Sequence, residues 1–531
     1  MKVKDCDLLV KNANVVAMCE RSSRARGFAV KDGRIVAVFK SDEEVERFAE
    51  GALEILDIGG KTVITGFFDG HTHLASLGVG FSHLNLGDTK SLVEALDRVK
   101  DKVEEEGEGE DKWIIGFGWD ETVWEEKRYI TGKDIGRVAP NNPVFLRRVC
   151  CHLVTVNSLA FEKLKIDPNA PGVEKDVGEA VTGVLADVKL DLSSIRPSKE
   201  KVKEAIRKAC KYANSLGITS VNDFASDYQF EPYLEMDRED EGKGEERRLT
   251  VRINLCPKID FLEELETRSL KAGDGSDFLK IGALKIFIDG SIGAYTAKLS
   301  EPYSDKVETT GKFMRSKEEF KELIKRAVVL GFQTASHAIG DEAIKMVLDV
   351  FEELEKKHPE IRKQRHKIEH AELLTDEGMR RLKSLGLFLS MQPNFLQWQG
   401  EKGFYWLRLG EERCGKLNEF RKIIDAGIEL SFGSDGMPLG PFFGIKQVVT
   451  NPRSNVKVSV EEALYCYTLG SAKASFLEHE RGSIEEGKVA DFIVLSEDPC
   501  KVSPEMLDKI KVEKTFVGGL LVYDRERDQT A

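Results

Sequence analysis

Between residues 5 and 64, apolar and polar positions alternate in short runs: Leu8-Leu9-Val10, Gly27-Phe28-Ala29-Val30 and Ile35-Val36-Ala37-Val38, the last two joined by Lys31-Asp32-Gly33. A period of two predicts half-buried strands, and the Asp-Gly pair predicts a hairpin turn. The far end of the chain repeats the pattern in Asp491-Phe492-Ile493-Val494-Leu495 and Lys514-Thr515-Phe516-Val517, with Gly518-Gly519 turning into Leu520-Leu521-Val522-Tyr523. Neither end alone supplies enough strands to cover a sheet face. Residues 1–64 and 480–531 therefore read as one composite β-sandwich.

Between these ends, apolar runs of strand length recur with helical stretches between them, the pattern of a parallel sheet. Eight such runs occur, at 63–74, 218–225, 249–256, 279–289, 332–338, 367–372, 388–393 and 429–435. Eight parallel strands with their helices predict an α/β fold, a (β/α)8 barrel over residues 65–479, with its active site at the strands' C-terminal ends. The stretch from Leu74 to Ile218 is far too long for a βα connection. Its own candidate strands, at 113–117, 144–146 and 180–188, predict an inserted subdomain over about residues 80–200, suited to act as a lid.

Composition narrows the partners. A chain of 531 residues exceeds one compact core, in keeping with a large domain plus smaller parts. Its net charge of -13 argues against nucleic acid or an anionic membrane as partner and in favour of a small-molecule substrate. Met1 is followed by charged, alternating sequence with no apolar signal segment, and no run is long enough to span a bilayer, so a cytoplasmic location is expected. The 9 cysteines are scattered, with Cys150 and Cys151 adjacent and no C-x-x-C pair, and read as reduced core residues. Base rates favour a homodimer.

The candidate chemistry sits at the ends of the predicted strands. The first closes with Phe67-Phe68-Asp69-Gly70-His71-Thr72-His73, and strand alternation puts His71 and His73 on one face, able to bind one metal. Alone, such a pair reads equally well as two hydrogen-bonded histidines. His337, His370 and Asp435 close three further strands, in a chain with only 9 histidines. Lys285 interrupts an otherwise apolar central strand, where an unpaired ammonium is disfavoured. It pairs with Asp289, four residues on along the same face, or snorkels its stem, or is an amine of depressed pKa that reacts with CO2 to give a carbamate bridging two cations.

Taken together, these six residues resemble the binuclear type of the amidohydrolase superfamily. That family has H-x-H after strand one, a carboxylated lysine on strand four, histidines on strands five and six and an aspartate on strand eight. More of the chain is similar to the amidohydrolase 3 subgroup, which includes proteins similar to N-substituted formamide deformylase. The carriers are Lys285-Ile286-Phe287-Ile288-Asp289-Gly290-Ser291, His337-Ala338-Ile339-Gly340-Asp341, Gly433-Ser434-Asp435 and Gly482-Ser483-Ile484-Glu485-Glu486-Gly487-Lys488-Val489-Ala490-Asp491. Within the insertion they are Gly116-Phe117-Gly118-Trp119-Asp120, Cys151-His152, Asn157-Ser158 and Thr182-Gly183-Val184-Leu185.

The resemblance implies two divalent cations, zinc by ligand type. His71, His73 and Asp435 would hold one, His337 and His370 the other, and carboxylated Lys285 would join them. It implies a hydrolase that cleaves a non-peptide carbon–nitrogen bond of amide type, with a hydroxide between the cations as nucleophile and Asp435 as general base and then acid. A mononuclear deaminase is the alternative that Lys285 speaks against. Lactone or phosphoester hydrolysis would use the same metals, and a non-catalytic relative should have lost ligands. Position suggests His152, Asp289, Ser291, Gln392 and Trp119 as substrate contacts, with Asp187 as a lid carboxylate.

Overall fold

The computed structural model describes residues 6–18, 24–148, 153–186, 188, 190–240, 249–400 and 403–528. His152, Asp187, Cys150 and Cys151 lie outside the described residues. The chain divides into two compact units, one of residues 1–76 with 206–531 and one of residues 77–205.

The large unit carries two sheets built from the chain ends. The first runs Arg34–Phe39, Gly27–Lys31, Cys6–Lys11, Ala52–Asp57, and the second Leu520–Asp524, Val512–Val517, Phe492–Leu495, Thr62–Thr65, Asn14–Val16, Arg24–Ala25. Asp32 and Gly33 both take left-handed φ (50° and 73°), which the tight turn between right-twisted strands requires. Leu8, Val10, Phe28, Val63, Phe492 and Phe516 share one buried cluster, with Phe492 stacked on Phe516 at 4.4 Å.

The run predicted at 63–74 is in fact two strands. Thr62–Thr65 pairs antiparallel with Phe492–Leu495, and Phe67–Thr72 then opens a parallel sheet. That parallel sheet is Phe67–Thr72, Ile218–Asp223, Arg252–Leu255, Leu279–Ile281, and a second contains Leu284–Phe287, Thr334–Ala338, Lys367–His370, Phe388–Met391, Leu430–Phe432. All eight predicted runs contain parallel strands, but among the described residues their ladders do not close into a barrel. The fourth run divides into Leu279–Ile281 and Leu284–Phe287, although both halves reach the third strand and its continuation, with Gly282 N donating to Leu255 O (2.7 Å) and Lys285 N to Pro257 O (2.8 Å). At the other seam Asp435 N donates to His71 O at 2.8 Å. Gly433 permits that approach: a Cβ there would lie 2.3 Å from His71 N.

Helices follow the strands and bury one stripe each. Helix Lys317–Val329, capped by Ser316 through Glu319 N, buries Phe320, Ile324, Ala327 and Val328 at helical spacing. At the N-terminal end of Arg252–Leu255, buried Arg252 makes a two-point ion pair with Asp491 (2.7 and 3.0 Å), whose Oδ1 also accepts from Gly518 N. This pair ties the parallel strands to the terminal sheet.

The smaller unit has its own six-stranded sheet, ordered Val173–Lys175, Val181–Ala186, Leu153–Val156, Val144–Arg148, Ile114–Trp119, Leu84–Asn85. Asn157 is its polar linchpin. It caps helix Ser158–Lys163 through Ala160 N, accepts from Val144 N and donates to the carbonyls of Ala139 and Asn142. Among the described residues no helix is long and apolar enough to cross a membrane.

Candidate metal centre

Five strand ends of the large unit converge on one buried cluster. His71 and His73 come from the end of Phe67–Thr72, Lys285 from Leu284–Phe287, His337 from Thr334–Ala338, His370 from Lys367–His370 and Asp435 from just beyond Leu430–Phe432. Ligand atoms of His71, His370 and Asp435 lie within 4.8 Å of one another. Asp435 Oδ1 is 3.2 Å from His73 Nε2 and 3.6 Å from His71 Nε2. Lys285 Nζ is 3.5 Å from His71 Nε2, and the His337 ring lies 4.5 Å from that of His370.

Backbone conformation aims two of these groups. Strict alternation along Lys367–His370 would send His370 to the opposite face from Glu369, but left-handed φ at His370 (72°) and Ala371 (47°) ends the strand and admits its ring to the cluster. Asp435 is likewise left-handed (φ 54°). Non-glycine residues in this region cost on the order of 1–3 kcal/mol each, and such strain gathers at functional sites.

Each of four imidazoles has one nitrogen committed away from the centre. His71 Nδ1 meets Glu369 Oε2 at 2.6 Å, His73 Nδ1 meets Phe224 O at 2.7 Å, and His370 Nδ1 meets Gln392 Oε1 at 2.7 Å. His337 does the reverse, with Nε2 at 3.1 Å from Gly290 O. A ring fixed by one nitrogen offers the lone pair of the other, the usual preparation of a metal-binding histidine. Imidazole nitrogens around a carboxylate suit zinc or a similar divalent cation. The residues present thus fit a candidate cation site at His71, His370 and Asp435, with His73 beside Asp435 and His337 beside His370.

Burial sets the charge states. It depresses His71 to about 4 and His337 to about 3, helped in both by the positive charge of Lys285, and holds His370 well below its usual value with the neighbouring rings adding to the effect. Neutral imidazoles are the form that binds metal. Burial would raise Asp435, but the adjacent His73 and the charges of His71 and Lys285 outweigh it and hold it at about 2. Burial brings Lys285 down to about 8 against the opposing charges of Glu369 and Asp435. Its amine stands over the Phe224 ring at 4.5 Å. An amine in that range has the free lone pair that reaction with CO2 needs.

The remaining sequence candidates fall elsewhere. Asp289 does not pair with Lys285. Its carboxylate accepts from Ile339 N (3.0 Å), Gly340 N (2.9 Å) and Lys298 N (2.8 Å), so it clamps the loops that follow two strands instead of facing a substrate. Ser291 is exposed, and its Oγ accepts from Ala294 N in a local turn. Gln392 is buried and holds His370. Trp119 is fully buried in the smaller unit, stacked on Trp124 at 6.0 Å with Nε1 donating to Leu146 O, which makes it a packing residue. Trp398 stands 4.8 Å from Phe395, whose ring lies parallel to that of His370.

Sequence reasoning passed over Glu369, Lys367, Phe224 and Asp69. Asp69 is buried and its Oδ1 accepts from His71 N (3.1 Å) and Ser434 N (3.0 Å), joining the first and last strands beside both ligands. Phe224 stacks on His71 at 4.1 Å. The available signal was the one that exposed Lys285: Lys367 and Glu369 are charged residues at alternate positions of an otherwise buried parallel strand.

Comparison with known proteins places this geometry. The sequence profile described as amidohydrolase family matches residues 54–523. The chain is similar to a putative amidohydrolase, YtcJ, of Bacillus subtilis, at 31% identity over 96% of this chain and 98% of the relative. It is also similar to an N-substituted formamide deformylase of Arthrobacter pascens, at 28% identity over 98% of both. Among solved structures it resembles an uncharacterized metal-dependent hydrolase from Pyrococcus furiosus, with a TM-score of 0.78 and 30% identity over 93% of this chain and 100% of that one. The match in sequence runs through both units and includes every strand that supplies a residue to the cluster, and on that ground the chain belongs to the amidohydrolase family.

Proposed function

We propose that this protein is a metal-dependent hydrolase that cleaves a non-peptide, amide-type carbon–nitrogen bond of a small molecule, using two divalent cations, zinc by ligand type. The observation that carries the reading is the set of four imidazoles, each anchored at one nitrogen, gathered with Asp435 towards strand C-terminal ends beside a buried lysine. Carboxylated, Lys285 would help to hold both cations, and a buried lysine at this place favours a binuclear centre over a mononuclear deaminase. The solved relative described as a metal-dependent hydrolase and the relative named as a formamide deformylase support the same chemistry.

When bound, the cations supply Lewis acidity that acidifies a water and polarises a carbonyl. The chain's own residues do the rest. Asp435, ionised and 11% exposed at its side chain, accepts the proton of the attacking water and returns it to the leaving nitrogen, which departs poorly as an anion. Glu369, Gln392 and the carbonyl of Phe224 keep the imidazoles in place while this proton moves.

A screen of N-formyl, N-acyl and cyclic amides against zinc-loaded protein tests the reading. Hydrolysis of at least one N-substituted amide, abolished by a chelator and restored by zinc, is the expected result. Chelator-insensitive turnover, or turnover of lactones or phosphoesters alone, overturns it.

A further inference from the structure

The strand Lys367–His370 buries two full charges. Alternation puts Lys367 and Glu369 on one face, and both are wholly buried. Parallel register arranges them in two layers. Lys367 pairs with Ala335, which pairs with Lys285, and Glu369 pairs with His337, which pairs with Phe287. The small Ala335 stands between the two lysines, and both amines face the Phe224 ring, Lys285 at 4.5 Å and Lys367 at 5.7 Å.

Glu369 works in two directions. Its Oε2 is 2.6 Å from His71 Nδ1, and its Oε1 is 3.6 Å from Lys367 Nζ. Neither Oε1 nor Nζ makes a hydrogen bond among the described residues. Isolated charges are costly to bury, and this pair has weaker geometry than a stability device needs. The opposite end of the unit shows the contrast, where Arg252 and Asp491 close two bonds of normal length. What the pair does well is present an anion to one nitrogen of His71. That places the proton on Nδ1 and the lone pair on Nε2, the atom that faces Asp435.

We infer that Glu369 and Lys367 are a buried positioning relay for the metal centre: Glu369 fixes the tautomer and orientation of His71, and Lys367, 3.6 Å from the other carboxyl oxygen, holds Glu369 in that place. This rests on the reading of His71 as a cation ligand. Lys367 acts only through Glu369, so its removal should matter only while Glu369 is present.

The test is a zinc titration against a competing chelator dye, with the cobalt(II) absorption spectrum as second readout, on wild type, Glu369→Gln, Lys367→Met and the double variant. Both single changes keep side-chain volume, and thermal unfolding is followed alongside. Glu369→Gln should weaken cation affinity by about 10–100-fold and shift the cobalt spectrum, as loss of an outer ligand partner does. Lys367→Met should weaken it less, and the double variant should match Glu369→Gln. Histidine-labelled 15N spectra of Lys367→Met give an independent measure, with loss of the Nδ1–H form of His71 expected. Wild-type affinity and spectra in both single variants would overturn the relay even if melting temperatures fell. Additive losses in the double variant would also overturn it, by showing that Lys367 acts on the site directly. Failure of wild type to bind zinc or cobalt would instead defeat the reading of the metal centre beneath it.

Discussion

The two ends of the parallel strands bury polar groups under opposite rules. At the N-terminal end of Arg252–Leu255, one guanidinium meets one carboxylate through two bonds of normal length, and Gly518 N donates to the same carboxylate. Towards the C-terminal ends, four histidines, a lysine and an aspartate crowd together at 3.2–3.6 Å or with rings 4.5–4.8 Å apart, and two of them, His370 and Asp435, are in left-handed backbone. The first arrangement satisfies itself and needs nothing further. The second gathers donor atoms whose mutual contacts are too long or poorly matched to repay their burial, which is how a candidate binding site differs from a structural knot.

Substitutions at the two ends should therefore fail in different ways. The largest expected effect is on Asp435→Asn, where loss of the proton acceptor should lower kcat by about 10²–10⁴-fold. Its melting temperature should not fall. Full activity in this variant would remove Asp435 from proton transfer. Asp491→Ala should invert the pattern. It strands buried Arg252 and should cost about 3–5 kcal/mol of stability in denaturant unfolding, while kcat per folded molecule stays at the wild-type value. A kcat loss in folded Asp491→Ala would blur the distinction.

The smallest effect extends the comparison to the separate unit of residues 77–205. There Asp134 closes a capping box with Thr131 and takes two bonds from Arg128. Burial would raise its pKa, but these hydrogen bonds outweigh burial and lower it from 3.8 to about 2. A depressed carboxylate contributes stability that is complete above its unfolded value and is lost as pH falls through the folded one. The stability gap between wild type and Asp134→Asn, read by limited proteolysis of this unit, should thus be constant above about pH 4 and shrink towards pH 2. A gap that widens on acidification would contradict the assignment.

Much of the centre was legible because side-chain parity and strand ends are one-dimensional properties. His71, His73, His337 and Asp435 stand where a run of apolar residues stops, and Lys285 stands out as a charge inside one. What escaped was set in three dimensions. The run 279–289 gave no sign that its two halves fall in different ladders, because the irregularity at Gly282 and Ala283 is set by how neighbouring strands lie in three dimensions. Parity alone would have turned His370 away from the cluster, and only its left-handed φ shows how it enters. Asp289 had the right position for a substrate contact, yet three backbone amides already occupy its carboxylate. Trp119 shows the limit for aromatics, since packing and recognition use the same residue type.

The most direct test of the central claim is elemental analysis of zinc-reconstituted wild type beside Lys285→Ala, with activity measured on the same samples. The account predicts about two cations per wild-type chain and loss of both activity and at least one cation in Lys285→Ala. Undiminished metal content and turnover in Lys285→Ala, or a wild-type chain that retains no cation, would contradict it.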